Sequence, residues 1–168
     1  SREDFFQVLL TKPLPAARAV YTTLTGFSPL MAEELCFRAG LDGGLPTDAL
    51  DEPARLHLYH TFCLLMEDIK NGDFAPGIFY RGQEPVEYAA FPLKQFSDFS
   101  RTPFSSISRL LETYYADKNR ITRIRQKSAD LRKIVSTALE RNGKKLILQE
   151  KQMKDTEKRI NTGSTGNY

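Results

Sequence analysis

Residues 24–40 read L-T-G-F-S-P-L-M-A-E-E-L-C-F-R-A-G, a stretch in which every local signal indicates a turn followed by a helix. Gly26 permits a sharp reversal of the backbone, because glycine adopts positive φ without steric cost. Ser28 is a preferred residue at a helix N-cap, and Pro29 is a preferred first residue of a helix. The stretch therefore predicts a tight turn and then a helix over 29–39.

Helical periodicity continues on both sides of this turn. It predicts short helices over 4–11 and 16–24 and, beyond a glycine-rich loop, a longer helix over about 52–70 that Thr47 or Asp51 caps. The residues expected to face inward are Ala16, Val20, Leu24, Leu30, Ala32, Leu35, Cys36, Leu56, Tyr59, Phe62, Cys63, Met66 and Ile69. Together these patterns indicate a small helical domain.

The pattern changes to that of strands after the long helix. Residues 77–80 and 85–88 flank the turn sequence at 81–84 and predict a β-hairpin. Two strands alone are not stable in water. We therefore expect a helix, or strands from elsewhere in a parent protein, to cover them.

A second helical pattern begins near Ser105 and runs through a charged region. Its apolar stripe alternates spacings of three and four over Ile121, Ile124, Ser128, Leu131, Val135, Ala138 and Asn142, which is typical of a coiled coil. Asn142 and Gly143 either end the helix or form a weak point inside it, and we expect it to continue. So long a stripe needs a partner helix, from the same parent chain or from a second copy.

Composition and charge narrow the class of protein. The 168 residues suffice for one domain with an appendage, and neither a signal peptide nor a membrane-spanning run is evident. The first residues lack an initiator Met, so we expect an internal piece of a larger protein. Residues 117–159 hold 14 Lys or Arg against 6 Asp or Glu, whereas the remainder holds 10 against 15. Such asymmetry suggests that the helix faces a polyanion.

Catalytic signals are weak. Cys36 and Cys63 have no zinc-ligand spacing and are expected to be reduced and buried, and His57 and His60 lack a third ligand. The carboxylates, Glu34 among them, fall at predicted helix starts or exposed positions. The sequence therefore predicts a protein that is not an enzyme and that needs no metal and no cofactor.

Two groups of residues are candidates for binding nucleic acid. The first is the hairpin Thr25, Gly26, Phe27 and Ser28, where free N–H groups at a helix start attract phosphate. The second is the set of cations beside the apolar stripe, Arg120, Arg123, Lys127 and Arg132. Simpler interpretations remain open for both groups: an ordinary helical corner in which Phe27 plugs the core, and a solvated face of a coiled coil.

Four segments in this order resemble the NFACT family, also known in bacteria as fibronectin/fibrinogen-binding protein A (FbpA) and as RqcH-type ribosome quality-control factors. They are the stretch quoted above, P-G-I-F-Y at 76–80 with P-V-E-Y-A-A-F-P-L-K-Q-F at 85–96, F-S-S-I-S-R-L-L-E-T-Y-Y at 104–115, and R-I-R-Q-K-S-A-D-L-R-K-I-V at 123–135. The ordered set carries the resemblance, because no single motif is highly specific.

The resemblance implies a mainly α fold with a small β-hairpin. Within it would lie a helix-hairpin-helix subdomain, the remnant of a MutM-like β domain, and a long coiled-coil helix. The expected boundaries are 1–13 for the end of an amino-terminal segment, 14–73 for the helix-hairpin-helix subdomain, 74–103 for the returning hairpin, 104–160 for the helix leading into the coiled-coil arm, and 161–168 for a disordered or non-native tail.

The resemblance also implies a cytoplasmic RNA-binding fragment that acts on stalled large ribosomal subunits and recruits tRNA, with no membrane partner. The family's acidic-plus-arginine tRNA motif is absent from this sequence, so only the hairpin residues carry over. A fibronectin- or fibrinogen-binding adhesin and a coiled-coil scaffold are the alternatives.

Overall fold

A computed structural model describes residues 1–164 as a mainly helical chain with a small antiparallel sheet. The helices are α1 (Arg2–Leu9), α2 (Ala16–Thr23), α3 (Pro29–Arg38), α4 (Glu52–Asn71) and α5 (Ile107–Ser164). The strands are β1 (Gly77–Arg81), β2 (Glu84–Ala89) and β3 (Ser100–Pro103). The chain divides into two compact units, the first over Ser1–Lys118 and the second beginning at Asn119.

The helix starts are set by local caps, as their sequences predict. The Ser28 Oγ accepts a hydrogen bond from the Met31 N–H at 3.2 Å, and Pro29 follows as the first residue of α3. Asp51 rather than Thr47 caps α4, since its carboxylate accepts from the Ala54 N–H at 2.9 Å. The Thr47 hydroxyl instead donates to the carbonyl of Lys12.

Helices α1 to α4 share one apolar core. Its buried residues include Phe5, Leu9, Ala16, Ala19, Val20, Ala32, Leu35, Cys36, Leu58 and Leu65. The ring of Phe5 on α1 lies 4.8 Å from that of Phe62 on α4, measured between centroids. The predicted inward residues of α2 and α3 are largely confirmed, and α1 packs into the same core.

The predicted inward face of α4 is partly wrong. The residues that α4 buries are Leu58, Thr61 and Leu65, whereas Cys63 is exposed and Ile69 is 36% exposed. The expectation of two buried cysteines therefore holds for Cys36 and fails for Cys63. Apolar side chains cover most of the circumference of α4, so periodicity alone does not select the side that packs.

The sheet has three strands rather than the predicted two. Its order is β2-β1-β3, and β1 pairs antiparallel with both neighbours. The β1–β2 connection is also tighter than predicted, because Arg81 already pairs with Glu84 and Gly82 turns the chain with φ +63°. The sequence of β3 is Ser-Arg-Thr-Pro, which has no apolar alternation and so carries no strand signal.

Helices from this chain cover both faces of β1. Ile78 is buried against Leu110 and Tyr114 in the first turns of α5. Phe79 is buried on the other side, where Leu30 and Met31 of α3 pack against its cluster. The expectation that the hairpin needs a cover is confirmed, and α3 and α5 provide much of it.

A buried carboxylate ties the helical core to the loop after β2. Glu34 is fully buried and accepts from the Arg38 Nε at 2.6 Å. Its two oxygens also accept the backbone N–H groups of Lys94 and Gln95 at 2.8 and 3.1 Å. The sequence-based assignment of Glu34 to a helix start or an exposed position is thus wrong, because its partners lie about sixty residues away in the chain.

Helix α5 runs without a break through Asn142 and Gly143, which confirms the expected continuous helix. It extends four residues into the segment 161–168 that was predicted as a disordered or non-native tail; residues 165–168 lie outside the described part of the chain. Among the described helices, none is long and apolar enough to cross a membrane.

Candidate nucleic-acid interface

The hairpin between α2 and α3 has the tight turn that its sequence predicts. The Phe27 N–H donates to the Leu24 carbonyl at 3.3 Å, and Gly26 adopts φ +94°. A Cβ placed on Gly26 would meet no atom within 4 Å, so glycine is required for its backbone conformation and not for space. Gly26 is exposed, and the reversal takes place at the surface.

Phe27 anchors this turn to the helical core. Its ring is half-buried, and its centroid lies 5.8 Å from that of Phe62 on α4. This placement agrees with the simpler interpretation, in which the hairpin is an ordinary helical corner and Phe27 packs into the core. The hairpin therefore combines an inward aromatic anchor with exposed neighbours at Thr25, Gly26 and Ser28.

The starts of α2 and α3 differ in what occupies their N–H groups. At α2 the N–H groups of Ala16 and Ala17 donate to loop carbonyls of Leu45 and Gly43 at 2.7 and 3.0 Å. At α3 the serine cap occupies the N–H of Met31. Within residues 1–164, the backbone N–H groups of Gly26, Ser28 and Leu30 donate to no acceptor. Of these two helix starts, that of α3 has N–H groups available to an anion and that of α2 does not.

An open cleft of about 380 Å³ lies beside the same helix start. Ser28, Leu30 and Met31 line one side, and a segment of β2 and the loop after it, including Glu87 and Tyr88, lines the other. Sequence reasoning missed this cleft, because its two sides are far apart in the chain. The Glu87 carboxylate disfavours phosphate inside it, so an anion is better placed over Gly26.

All four predicted cations of α5 are exposed, and all belong to the second unit. Arg120, Arg123 and Lys127 are spaced by three and four residues and share one face of the helix. Arg132 follows five residues later and lies on a different face. Within residues 1–164, Arg123, Lys127 and Arg132 form no ion pair.

Two carboxylates close to these cations accept hydrogen bonds from neutral side chains. Asp117 accepts a hydrogen bond from the Tyr80 hydroxyl at 3.0 Å in the first unit. Asp130 accepts one from the Gln126 amide at 3.1 Å.

Groups with catalytic chemistry are dispersed in the described chain. Burial raises the pKa of the Cys36 thiol to about 12, with smaller contributions from the charges of Glu33 and Asp42, so the thiol stays protonated at neutral pH. His57 and His60 are both exposed on α4. Among residues 1–164, no three His, Cys, Asp or Glu side chains are placed to hold a metal ion.

Comparison with known proteins gives a family match over nearly the whole chain. The family model for NFACT N-terminal and middle domains matches residues 1–167. A Streptococcus suis (strain 05ZYH33) protein named Rqc2 homolog RqcH is 44% identical over 70 residues, or 42% of this chain and 12% of that protein. A Streptococcus pneumoniae serotype 2 (strain D39 / NCTC 7466) protein of the same name is 36% identical over 62 residues, or 37% of this chain and 11% of that protein. The aligned part is thus a small fraction of each relative.

Proposed function

The chain belongs to the NFACT family, and we propose that it is an RNA- and ribosome-binding part of a ribosome quality-control factor. The observation that carries this proposal is the family match over residues 1–167. The name Rqc2 homolog RqcH, shared by the two relatives, agrees with it. In more detail, the chain helps its parent protein hold tRNA on stalled large ribosomal subunits in the cytoplasm.

The hairpin supplies the first contact in this proposal. The N–H groups of Gly26, Ser28 and Leu30 donate to the oxygens of one phosphate, and the dipole of α3 adds to the attraction. Contacts of this kind do not read bases, so they position an RNA backbone without selecting its sequence. Phe27 keeps the turn in place through its packing on Phe62.

The cationic face of α5 supplies the second contact. Arg120, Arg123 and Lys127 present three positive charges along two turns, a spacing that suits successive phosphates. Each phosphate that they neutralise releases condensed counterions, which makes the affinity depend on salt. Arg132 adds charge from a different face of the helix.

Binding without catalysis is part of the proposal. A thiol held protonated by burial is a poor nucleophile, and two exposed histidines have no partner that would activate them in the described chain. We therefore propose that the chain is not an enzyme and acts without a cofactor.

Salt titration of tRNA binding tests the proposal. Fluorescence anisotropy with labelled tRNA is expected to show an affinity that falls linearly on a log–log plot as salt rises. Arg120→Glu combined with Arg123→Glu is expected to weaken binding and flatten the slope by about 0.7–0.9 for each phosphate that the protein no longer neutralises. Lys151→Glu with Lys154→Glu makes the same charge change elsewhere on exposed α5 and serves as the control.

Two outcomes would contradict the proposal, the first its contact surface on α5 and the second RNA binding itself. In one, both double variants lose affinity equally, which would indicate a non-specific effect of net charge. In the other, the chain binds immobilised fibronectin or fibrinogen independently of salt and does not bind tRNA, which would establish the adhesin alternative. A Gly26→Ala variant tests the hairpin contact separately, because it leaves the charge unchanged.

A further inference from the structure

The open cleft beside the start of α3 combines apolar walls with a carboxylate. Leu30 and Met31 line it from α3, and Ala89 and Ala90 line it from the end of β2 and the loop after it. Glu87 lies on the β2 side. Mostly apolar walls with a few fixed polar groups are typical of a ligand site, in which the polar groups set the orientation of the ligand.

The half-buried carboxylate of Glu87 has acceptor sites available for a ligand. Glu87 stands opposite Phe79 in the β1–β2 pairing, so it lies on the side of the sheet that α3 covers. Its Oε1 accepts the Tyr88 N–H at 3.0 Å, whereas its Oε2 accepts no hydrogen bond from residues 1–164. Because each carboxylate oxygen has two acceptor sites, the group can accept two further N–H donors, one on each oxygen.

The α3 side of the same cleft carries hydrogen-bond donors. Ser28 and Leu30 line it, and their backbone N–H groups, like that of Gly26, donate to no acceptor within residues 1–164. The cleft thus has donors for an anion on one side and a carboxylate acceptor on the other. An RNA nucleotide complements both, with its phosphate and with the N–H groups on the edge of its base. A lysine or arginine side chain complements the carboxylate alone.

We propose that this cleft binds an unpaired guanine base of an RNA whose phosphate lies over Gly26. Guanine has two neighbouring N–H donors on its Watson–Crick edge, at N1 and N2, and the two oxygens of the Glu87 carboxylate accept both. Adenine and cytosine place a ring acceptor beside their amino group, and uracil has a single N–H between two carbonyls. The inference rests on the proposed hairpin contact and adds base selection to it.

Phe91 supplies an aromatic wall for the base. Tyr88 also lines the cleft, but its ring packs against that of Tyr114 with 4.7 Å between the centroids. Phe91 is half-buried, and its ring lies 5.2 Å from that of the exposed Phe74. Unpaired RNA bases stack on aromatic side chains, and such stacking tolerates any base. Phe91 therefore contributes affinity, whereas Glu87 contributes selection.

Short single-stranded RNAs that differ at one base test the proposal on the full chain. Labelled oligouridine with one central guanosine is compared by fluorescence anisotropy with the same RNA carrying adenosine or inosine, which lacks the 2-amino group. Guanosine is expected to bind about tenfold more tightly than adenosine, with inosine between them. Glu87→Gln keeps an acceptor for the Tyr88 N–H but replaces the other oxygen with a donor, so it is expected to abolish the preference for guanosine.

The matched control is Glu67→Gln, the same substitution at an exposed position of α4, and it is expected to retain the preference. Phe91→Leu is expected to weaken all three RNAs by a similar factor.

Equal binding of the three RNAs would overturn this inference and leave RNA binding by the chain intact. Absence of binding by these RNAs would also overturn it, and RNA binding itself fails only if tRNA does not bind either. Binding of an arginine-containing peptide that Glu87→Gln abolishes, without any base preference, would assign the cleft to a protein partner and overturn the inference.

Discussion

The first turns of α5 and its later turns have the same apolar periodicity and opposite burial. Leu110 is fully buried and Tyr114 is 6% exposed in the cluster that covers Ile78. Past Asn119, Leu131 on the same helix is 63% exposed. An apolar stripe therefore indicates that a helix face is suited to packing. Whether that face is buried, and against which element, depends on the rest of the structure. The difference gives three pairs of matched substitutions, one member in each unit.

The largest effect is expected for truncation of the buried leucine. Leu110→Ala is expected to lower the free energy of unfolding of the first unit by about 2–5 kcal/mol, because it leaves a cavity beneath the sheet. Leu131→Ala is expected to change it by less than about 0.5 kcal/mol. Urea unfolding followed by near-UV circular dichroism measures both, since six of the seven tyrosines lie in the first unit. A similar loss of unfolding free energy in Leu110→Ala and Leu131→Ala would contradict the difference in burial.

Two ion pairs with the same spacing give the next comparison. Glu34 and Arg38 meet at 2.6 Å with the carboxylate fully buried, whereas Glu140 and Lys144 meet at 2.7 Å with both side chains mostly exposed. Glu34→Ala is expected to destabilise the protein by about 2–3 kcal/mol, since it leaves Arg38 and two backbone N–H groups without their acceptor.

Glu140→Ala is expected to cost less than about 0.5 kcal/mol, because water and salt screen an exposed pair. The same urea experiment measures Glu34→Ala, and far-UV circular dichroism measures Glu140→Ala. If high salt removed the effect of Glu34→Ala, the carboxylate would be less buried than the structure indicates.

The third comparison is between two glycines, at which substitutions by alanine are expected to have effects of opposite sign. Gly26→Ala is expected to destabilise by about 1–2 kcal/mol, because alanine resists the φ of +94°. Gly143→Ala is expected to increase helix stability by about 1 kcal/mol, since glycine is a poor residue in a helix interior. Thermal melts followed by near-UV and far-UV circular dichroism measure the two changes respectively, and a stabilising Gly26→Ala would refute the turn geometry.

Features that depend on neighbouring residues could be predicted. The turn at Gly26, the Ser28 cap, the Pro29 start and the continuous α5 all follow from propensities acting within a few residues. The candidate site was predicted in the same way and stays a prediction, since the hairpin and the spacing of Arg120, Arg123 and Lys127 are local. These signals hold because a helix cap or a glycine turn completes its own hydrogen bonds.

Features that depend on distant residues could not be predicted. The exposure of Cys63 required knowing which side of α4 faces α1 and α3. The strand β3 could not be predicted from Ser100–Pro103 alone, because this segment has no apolar alternation and is a strand through its pairing with β1. The cleft beside Ser28, with Glu87 on its far side, joins segments that only the folded chain brings together.

The sequence by itself determined the helices, their caps, the glycine turn and the spacing of the cations on α5, because each arises from interactions within one or two helical turns. Only the tertiary structure decided which side of α4 is buried and that Glu34 lies in the interior. It also decided that loop carbonyls accept the first N–H groups of α2, whereas the N–H groups of Gly26, Ser28 and Leu30 donate to no acceptor within residues 1–164. The reason is physical: burial and hydrogen-bond satisfaction at these positions are supplied by groups far away in the chain, and one segment alone does not encode its partner.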